Sequence, residues 1–226
     1  ERTIIWNSGS AFAVSKDGLM LTNHHVVAPD KFGGPGDRLH LFETYNVNGF
    51  TFTPIEFLVA VRFDSDDWHA AEIVAVGEGE HQDVAVLRVK DVNFPAPFVV
   101  VKDASRGDSV LACGFPGLTM GLSKEFNRSQ SDEASRQQFL LRTEGREDPS
   151  VSYPARTIVM STNSGNITSI IPTNLGRTYV TDAFIHSGNS GGPLLNQKGE
   201  VVGIVTARHK ESESVNIAYS AYDLLT

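Results

Sequence analysis

Cysteine is almost absent from this sequence: one residue, Cys113, in 226. No internal disulfide can form, so packing and hydrogen bonds must hold the fold, a condition compatible with cytosol or periplasm. Long apolar runs are missing as well. The longest, Phe57–Val61 and Phe98–Val101, fall far short of the roughly 20 residues of a bilayer-spanning helix, and no membrane span is expected. Basic charge is not in excess: 19 Lys and Arg stand against 27 Asp and Glu, a formal net charge of −8. The basic residues are interrupted by acidic ones throughout, which argues against a polyanion partner and predicts no nucleic-acid binding. No charged, apolar, small-residue succession opens the chain, so the expectation is a secretory leader already removed or never there.

What is present is strand signal. A hydrophobic content of 40% can build a packed core. Segments alternate or run apolar between turn residues at Ser10–Val14, Leu39–Glu43, Phe57–Phe63, Ala71–Val76 and Val84–Val89. A second set follows Pro95 and Pro97: Phe98–Val101, Ser109–Cys113, Thr157–Ser161, Ile167–Ile171, Thr178–Thr181, Pro193–Asn196 and Val201–Thr206. Helical periodicity is almost absent, and no fixed-period repeat suggests a solenoid or propeller. Two groups of about six short strands predict an all-β fold of two antiparallel barrels or sandwiches, divided as residues 1–96 and 97–226. Two polar stretches, 28–38 and 123–153, interrupt the spacing and read as loops, with Ser131 placed to cap a short helix in the second.

The strongest motif is Ser187-Gly188-Asn189-Ser190-Gly191-Gly192-Pro193-Leu194. A serine flanked by glycines can sit on a tight turn with its hydroxyl exposed and the backbone amides of the turn converging. The Gly188-Asn189-Ser190 turn would then form an oxyanion hole from the amides of Gly188 and Ser190, aimed at the charge that develops in a tetrahedral transition state. The spacing Gly188-x-Ser190-x-Gly192 also fits the nucleophile elbow of α/β hydrolases, which requires the order Ser, Asp or Glu, His. After Ser190 the order is His209 before Asp223, with no alternation of strand and helix around them. The elbow fails on order and on fold.

Double-barrel proteases need the order His, Asp, Ser. Thr22-Asn23-His24-His25-Val26-Val27 closes a strand, where a histidine can face a cleft. Adjacent strand residues point to opposite faces, so at most one of His24 and His25 serves as base, and the pair makes a poor metal chelate. His25 is taken as the base on motif register, leaving His24 as a hydrogen-bonded or exposed neighbour. Asp83 stands at the mouth of the apolar strand Val84–Val89. A carboxylate there is costly unless hydrogen-bonded, and an imidazole N–H is the partner this chemistry needs.

These blocks carry a resemblance. Gly9–Val14, Leu21–Val27, Asp83–Leu87, Gly114-Phe115-Pro116-Gly117 and Thr181–Leu194 run in the order found in the protease domain of the HtrA (Deg) family of trypsin-like serine proteases. The chain resembles that family from residue 9 to about residue 220. The resemblance implies two antiparallel six-stranded β-barrels of chymotrypsin type with the site in the cleft between them. It implies a triad of His25, Asp83 and Ser190, no cofactor and no metal. Members usually carry a small residue where His24 stands and a proline where Ser187 stands. They usually continue into PDZ domains, whereas this sequence ends at Asp223-Leu224-Leu225-Thr226, so a trimmed or PDZ-free relative is expected.

The resemblance also places Ile185 and Val205 along the primary specificity pocket, with Thr206, Ala207 and Arg208 as the edge strand that pairs with substrate backbone. Two apolar β-branched residues and no acid at the base predict cleavage after small or medium aliphatic residues. Asn189 stands where trypsin-type zymogens have an aspartate that pairs with a freed N-terminus. Activity is therefore expected not to need that switch, with ordering of a loop such as 123–153 controlling the hole instead. The expected partners are polypeptides, including unfolded proteins, in the periplasm or outside the cell, with a homotrimer as the family's frequent assembly. Two other readings are a silent protease-fold protein that binds peptides, and an esterase using the same triad.

Overall fold

Alternating burial marks the strands. In β7 (Ala85–Val89), Ala85, Leu87 and Val89 are buried while Val86 and Arg88 are half-buried, the period of two that a pleated strand imposes. The computed structural model describes residues 9–27, 45–47, 50–52, 59–63, 68–77, 83–115, 160–174, 176–186, 188–208 and 216–225. The first half contains β1 (Phe12–Ala13), β2 (Leu19–Thr22), α1 (His24–Val27), β3 (Tyr45–Val47), β4 (Phe50–Phe52), β5 (Val59–Arg62), β6 (Trp68–Val76) and β7. Five of these strands form an antiparallel sheet in the order β1-β2-β7-β6-β5, and β3 pairs with β4 as a separate hairpin.

The second half contains β8 (Ser109–Gly114), β9 (Ser161–Thr173), β10 (Gly176–Thr181), β11 (Pro193–Leu195), β12 (Val201–Arg208), β13 (Asn216–Ser220) and α2 (Ala221–Leu225). Its six strands close into a barrel in the order β10-β13-β12-β11-β8-β9. The all-β, chymotrypsin-type architecture is therefore present, with the second barrel closed and the first a five-stranded sheet plus hairpin among the described residues. The expected strand Leu39–Glu43, the loops 28–38 and 123–153, and the Ser131 cap lie outside the described residues.

Three apolar clusters hold this together. Met20, Val27, Ala85, Leu87 and Val89 form the core of the first half. Val110, Ala112, Ile167, Tyr179, Leu194 and Val202 belong to the core of the barrel. A third cluster joins the halves: Phe12, Leu21 and Val84 from the first pack with Cys113, Leu195, Val201, Ile204 and Ala221 from the second. Burying a Leu, Ile or Val fully contributes roughly 1.5–3 kcal/mol, so this shared cluster fixes the halves around the cleft.

The segment 98–101 behaves differently from its expected strand. The Phe98 amide donates to the Ala13 carbonyl at 2.9 Å, while Val99 and Val101 bond Val201, leaving one isolated parallel bridge at Val100. It bonds both halves in turn and therefore builds a ladder with neither. β9 is longer than its apolar part Ile167–Ile171 because Ser161–Asn166 pairs with β8 along its whole length, although those residues are polar.

Candidate active site

β2 ends at Thr22, whose hydroxyl donates to the Ser10 carbonyl at 2.7 Å. The chain then turns into α1, with the Val26 amide on the Asn23 carbonyl at 3.2 Å. The expectation that the strand runs through His24 and His25 is corrected: helical geometry sets neighbours about 100° apart rather than on opposite faces. His24 is buried at 3% exposure, not an exposed neighbour, while the His25 side chain is 37% exposed.

Asp83 meets His25 twice. Its Oδ1 accepts from the His25 amide at 2.9 Å, and its Oδ2 lies 2.6 Å from Nδ1. The carboxylate is 15% exposed, so the position at the mouth of β7 is compensated by hydrogen bonds as the sequence requires. Its charge is felt on β13: burial pushes the Tyr219 phenol up, and Asp83 adds to that rise.

Ser190 lies in the turn between β10 and β11. Three amides of this turn are consumed within the protein: Asn189 donates to His186 at 3.0 Å, Gly191 to Val205 at 2.8 Å and Gly192 to Asn189 at 2.9 Å. The amides of Gly188 and Ser190 have no acceptor among the described residues. Gly191 needs to be glycine, because at φ 86° a Cβ would stand 2.2 Å from the Ser10 carbonyl oxygen. The Ser190 hydroxyl donates to the Thr206 carbonyl at 3.1 Å.

Ile185 and Val205 lie in the core cluster of the barrel at 2% and 0% exposure. Thr206, at the bulge of β12, is followed by Ala207 and Arg208, which pair with Ile217 and Asn216 of β13. The pairing of β12 with β11 stops at Ile204 and is prolonged only by Val205 bonding Gly191 and Gly192. Beyond it, the other edge of β12 carries no strand among the described residues. No group of three or more His, Cys, Asp and Glu is placed to hold a metal among the described residues.

Neither Asn23 nor Ser10 was singled out by the sequence, and Thr206 only as part of the substrate edge. Asn23 donates from Nδ2 to the Asp83 carbonyl at 2.7 Å and to the Thr206 hydroxyl at 3.0 Å. Thr206 passes its own hydroxyl hydrogen to the Ile204 carbonyl at 3.2 Å. Ser10 donates to the Gly188 carbonyl at 2.7 Å and accepts from the Phe115 amide at 2.9 Å. Each is a small polar residue beside a motif residue, and only its burial distinguishes it.

Residues 9–204 match the family described as trypsin-like peptidase domain, and the curated relatives carry HtrA and DegP-like names. The chain belongs to the HtrA family of trypsin-like peptidases. It is 28% identical over 217 residues to the putative serine protease HhoB of Synechocystis sp., covering 93% of this chain and 37% of that protein. It is 30% identical over 197 residues to a probable periplasmic DegP-like serine endoprotease of Ectopseudomonas mendocina, covering 87% of this chain and 28% of that one. The HtrA-type protease AlgW solved with a decapeptide superposes with a TM-score of 0.56 at 24% identity, over 96% of this chain and 49% of that chain, which bears on the fold. The HtrA-type chain thus spans about a third of the length of these two curated relatives. No helix among the described residues is long and apolar enough to cross a membrane.

Proposed function

We propose that this HtrA-type domain is a serine endopeptidase that works through His25, Asp83 and Ser190. The observation that carries the reading is the double contact of Asp83 with His25, at 2.6 Å to Nδ1 and 2.9 Å to the main-chain amide. A ring held at Nδ1 in this way keeps Nε2 free of a proton and able to accept one. Ser190 rotates its hydroxyl from the Thr206 carbonyl toward Nε2, loses its proton there and attacks the scissile carbonyl. The free amides of Gly188 and Ser190 receive the oxyanion. His25 then protonates the leaving amine, and water hydrolyses the acyl-enzyme by the reverse use of the same groups.

Polypeptide segments are the substrates, laid along the open edge of β12 at Thr206–Arg208. Ile185 and Val205 are buried apolar residues of the barrel core, and neither 183–186 nor 202–206 contains an acid, which supports cleavage after small or medium aliphatic residues. The periplasmic name of the DegP-like relative supports a periplasmic or secreted setting. A fluorophosphonate should add one adduct mass to the protein and none to Ser190→Ala, with peptidase activity lost in parallel. An unlabelled wild type, or full peptidase activity in Ser190→Ala, overturns the reading.

A further inference from the structure

Ser10 ties the first half to the Gly188–Ser190 turn, and a second tie, through one side-chain nitrogen, links the Asp83 end of the site to β12. Asn23 is completely buried at 0% exposure, and its Nδ2 reaches the main-chain oxygen of Asp83 at 2.7 Å and the hydroxyl of Thr206 at 3.0 Å. The main-chain oxygen of Thr206 in turn accepts the Ser190 hydroxyl at 3.1 Å. A continuous run of contacts results, from His25 through Asp83, Asn23 and Thr206 to Ser190. The orientation of the amide follows from chemistry, since a carbonyl oxygen only accepts and must face the nitrogen rather than Oδ1.

That orientation costs stability. Asn23 Oδ1 is buried without a hydrogen-bond partner among the described residues, and an unsatisfied buried acceptor costs roughly 1–3 kcal/mol. A residue selected only to fill this place would be apolar and of similar volume. A retained buried polar group with one unmet atom points to a role for the atom that is met.

We propose that Asn23 is a positioning residue that sets the distance and angle between the His25–Asp83 pair and Ser190 by tying the two halves at Thr206. This rests on the triad reading above. The substrate edge pairs through main-chain atoms of the second half, whereas the tie takes only the Thr206 hydroxyl, so ground-state binding does not need the tie. Transfer of the Ser190 proton to His25 crosses between the halves and does need it. Loss of the tie therefore lowers kcat and leaves KM nearly unchanged.

The test measures kcat and KM per active site, with sites counted by fluorophosphonate labelling taken to its end point and Ser190→Ala as the unlabelled control. Asn23→Ala is expected to lower kcat by about 10- to 100-fold, the scale of an ångström-sized misplacement, with KM changed less than about 2-fold. Thr206→Val keeps the volume and removes only the hydroxyl, and it should also lower kcat. The double variant should be no slower than Asn23→Ala alone, because both remove one bridge. An unchanged kcat per labelled site in either variant, whatever its melting temperature, overturns the proposal, as do losses that multiply in the double variant. Should Asn23→Ala fail to fold, the kcat of Thr206→Val decides alone. A wild type that takes no label overturns the triad reading instead, and the proposal with it.

Discussion

The Ser10 hydroxyl donates to the carbonyl oxygen of Gly188 at 2.7 Å while accepting from the Phe115 amide at 2.9 Å. The Ser10 amide also bonds the Ser190 carbonyl at 2.7 Å. One buried serine thus holds the outer faces of the turn whose inner amides, Gly188 and Ser190, are free. Ser10→Ala removes both side-chain bonds and with them the hold on the Gly188 carbonyl, in the peptide that lies between the two donor amides. Since one lost donor of an oxyanion hole costs about 100- to 1000-fold, a loosened donor should cost about 10- to 100-fold in kcat. Ser10→Thr, which keeps the hydroxyl, should recover most of it. A folded Ser10→Ala with wild-type kcat and wild-type affinity for a peptide aldehyde would refute this role.

Asp83→Asn tests the orienting contact. The amide can still reach His25, but the carboxylate no longer selects the tautomer or stabilises the imidazolium. The expected loss in kcat is on the order of 10,000-fold by the triad template. Stability should change far less, because the replacement is isosteric and the carboxylate is at the edge of the cleft with 15% exposure. Stopped-assay turnover and a thermal melt of the same sample check both halves of the prediction, and a loss under about 10-fold would remove Asp83 from the triad.

Asn189 is buried at 0% exposure, and neither its Nδ2 nor its Oδ1 has a hydrogen-bond partner among the described residues. Its carboxamide lies against Gly114, where a Cβ would come within 3.0 Å of Oδ1. Asn189→Asp puts a carboxyl into that place, and burial raises its folded-state pKa above the unfolded value. Below the unfolded value both states are protonated and the variant should match wild type. As pH rises past it the unfolded state ionises first, so stability falls by up to about 1.4 kcal/mol per pH unit until the folded state ionises too. Urea denaturation at acid and neutral pH measures this. A deficit independent of pH would show that the carboxyl finds a partner.

The sequence made the strands of the barrel cores legible because alternation is strong where one face is apolar: β7 reads Ala85, Leu87, Val89 inward. The polar first half of β9 was hidden because its residues 161–166 are held by ladder bonds to β8 rather than by burial of apolar side chains. β13 (Asn216–Ser220) alternates in burial, yet its inward residues are Asn216, Ala218 and Ser220, which carry little apolar signal. At the site, the glycines and the order His, Asp, Ser pointed to Ser190 and Asp83, and motif register pointed to His25, the three residues of the proposed triad. Asn23 and Ser10 could not be told from ordinary strand-end residues, since what marks them is a partner more than 100 positions away in the chain. The strand expected through His24 and His25 was misread for a related reason: one helical turn is too short to leave a period.

Arg177 and Asp223 offer a test of stability apart from the cleft. Arg177 grips the carboxylate through Nε at 2.7 Å, Nη2 at 3.0 Å and its main-chain amide at 2.9 Å, which fixes α2 against β10. The guanidinium holds Asp223 down from the ordinary 3.8 to about 2. A carboxyl with a depressed folded-state pKa contributes stability that is full above the unfolded value and lost as pH falls through the folded one. With side chains 25% and 17% exposed, solvent screening reduces the contribution to on the order of 1–2 kcal/mol. Asp223→Asn should therefore be less stable than wild type by that amount at neutral pH. The gap should begin to close below about pH 4 and be nearly gone at pH 2, as the wild-type carboxyl protonates. Chemical denaturation of both proteins across this range reads the gap directly; no gap at neutral pH would mean that α2 is held by packing rather than by this pair, and a gap that persists undiminished at pH 2 would mean that the substitution acts other than through the charge of Asp223.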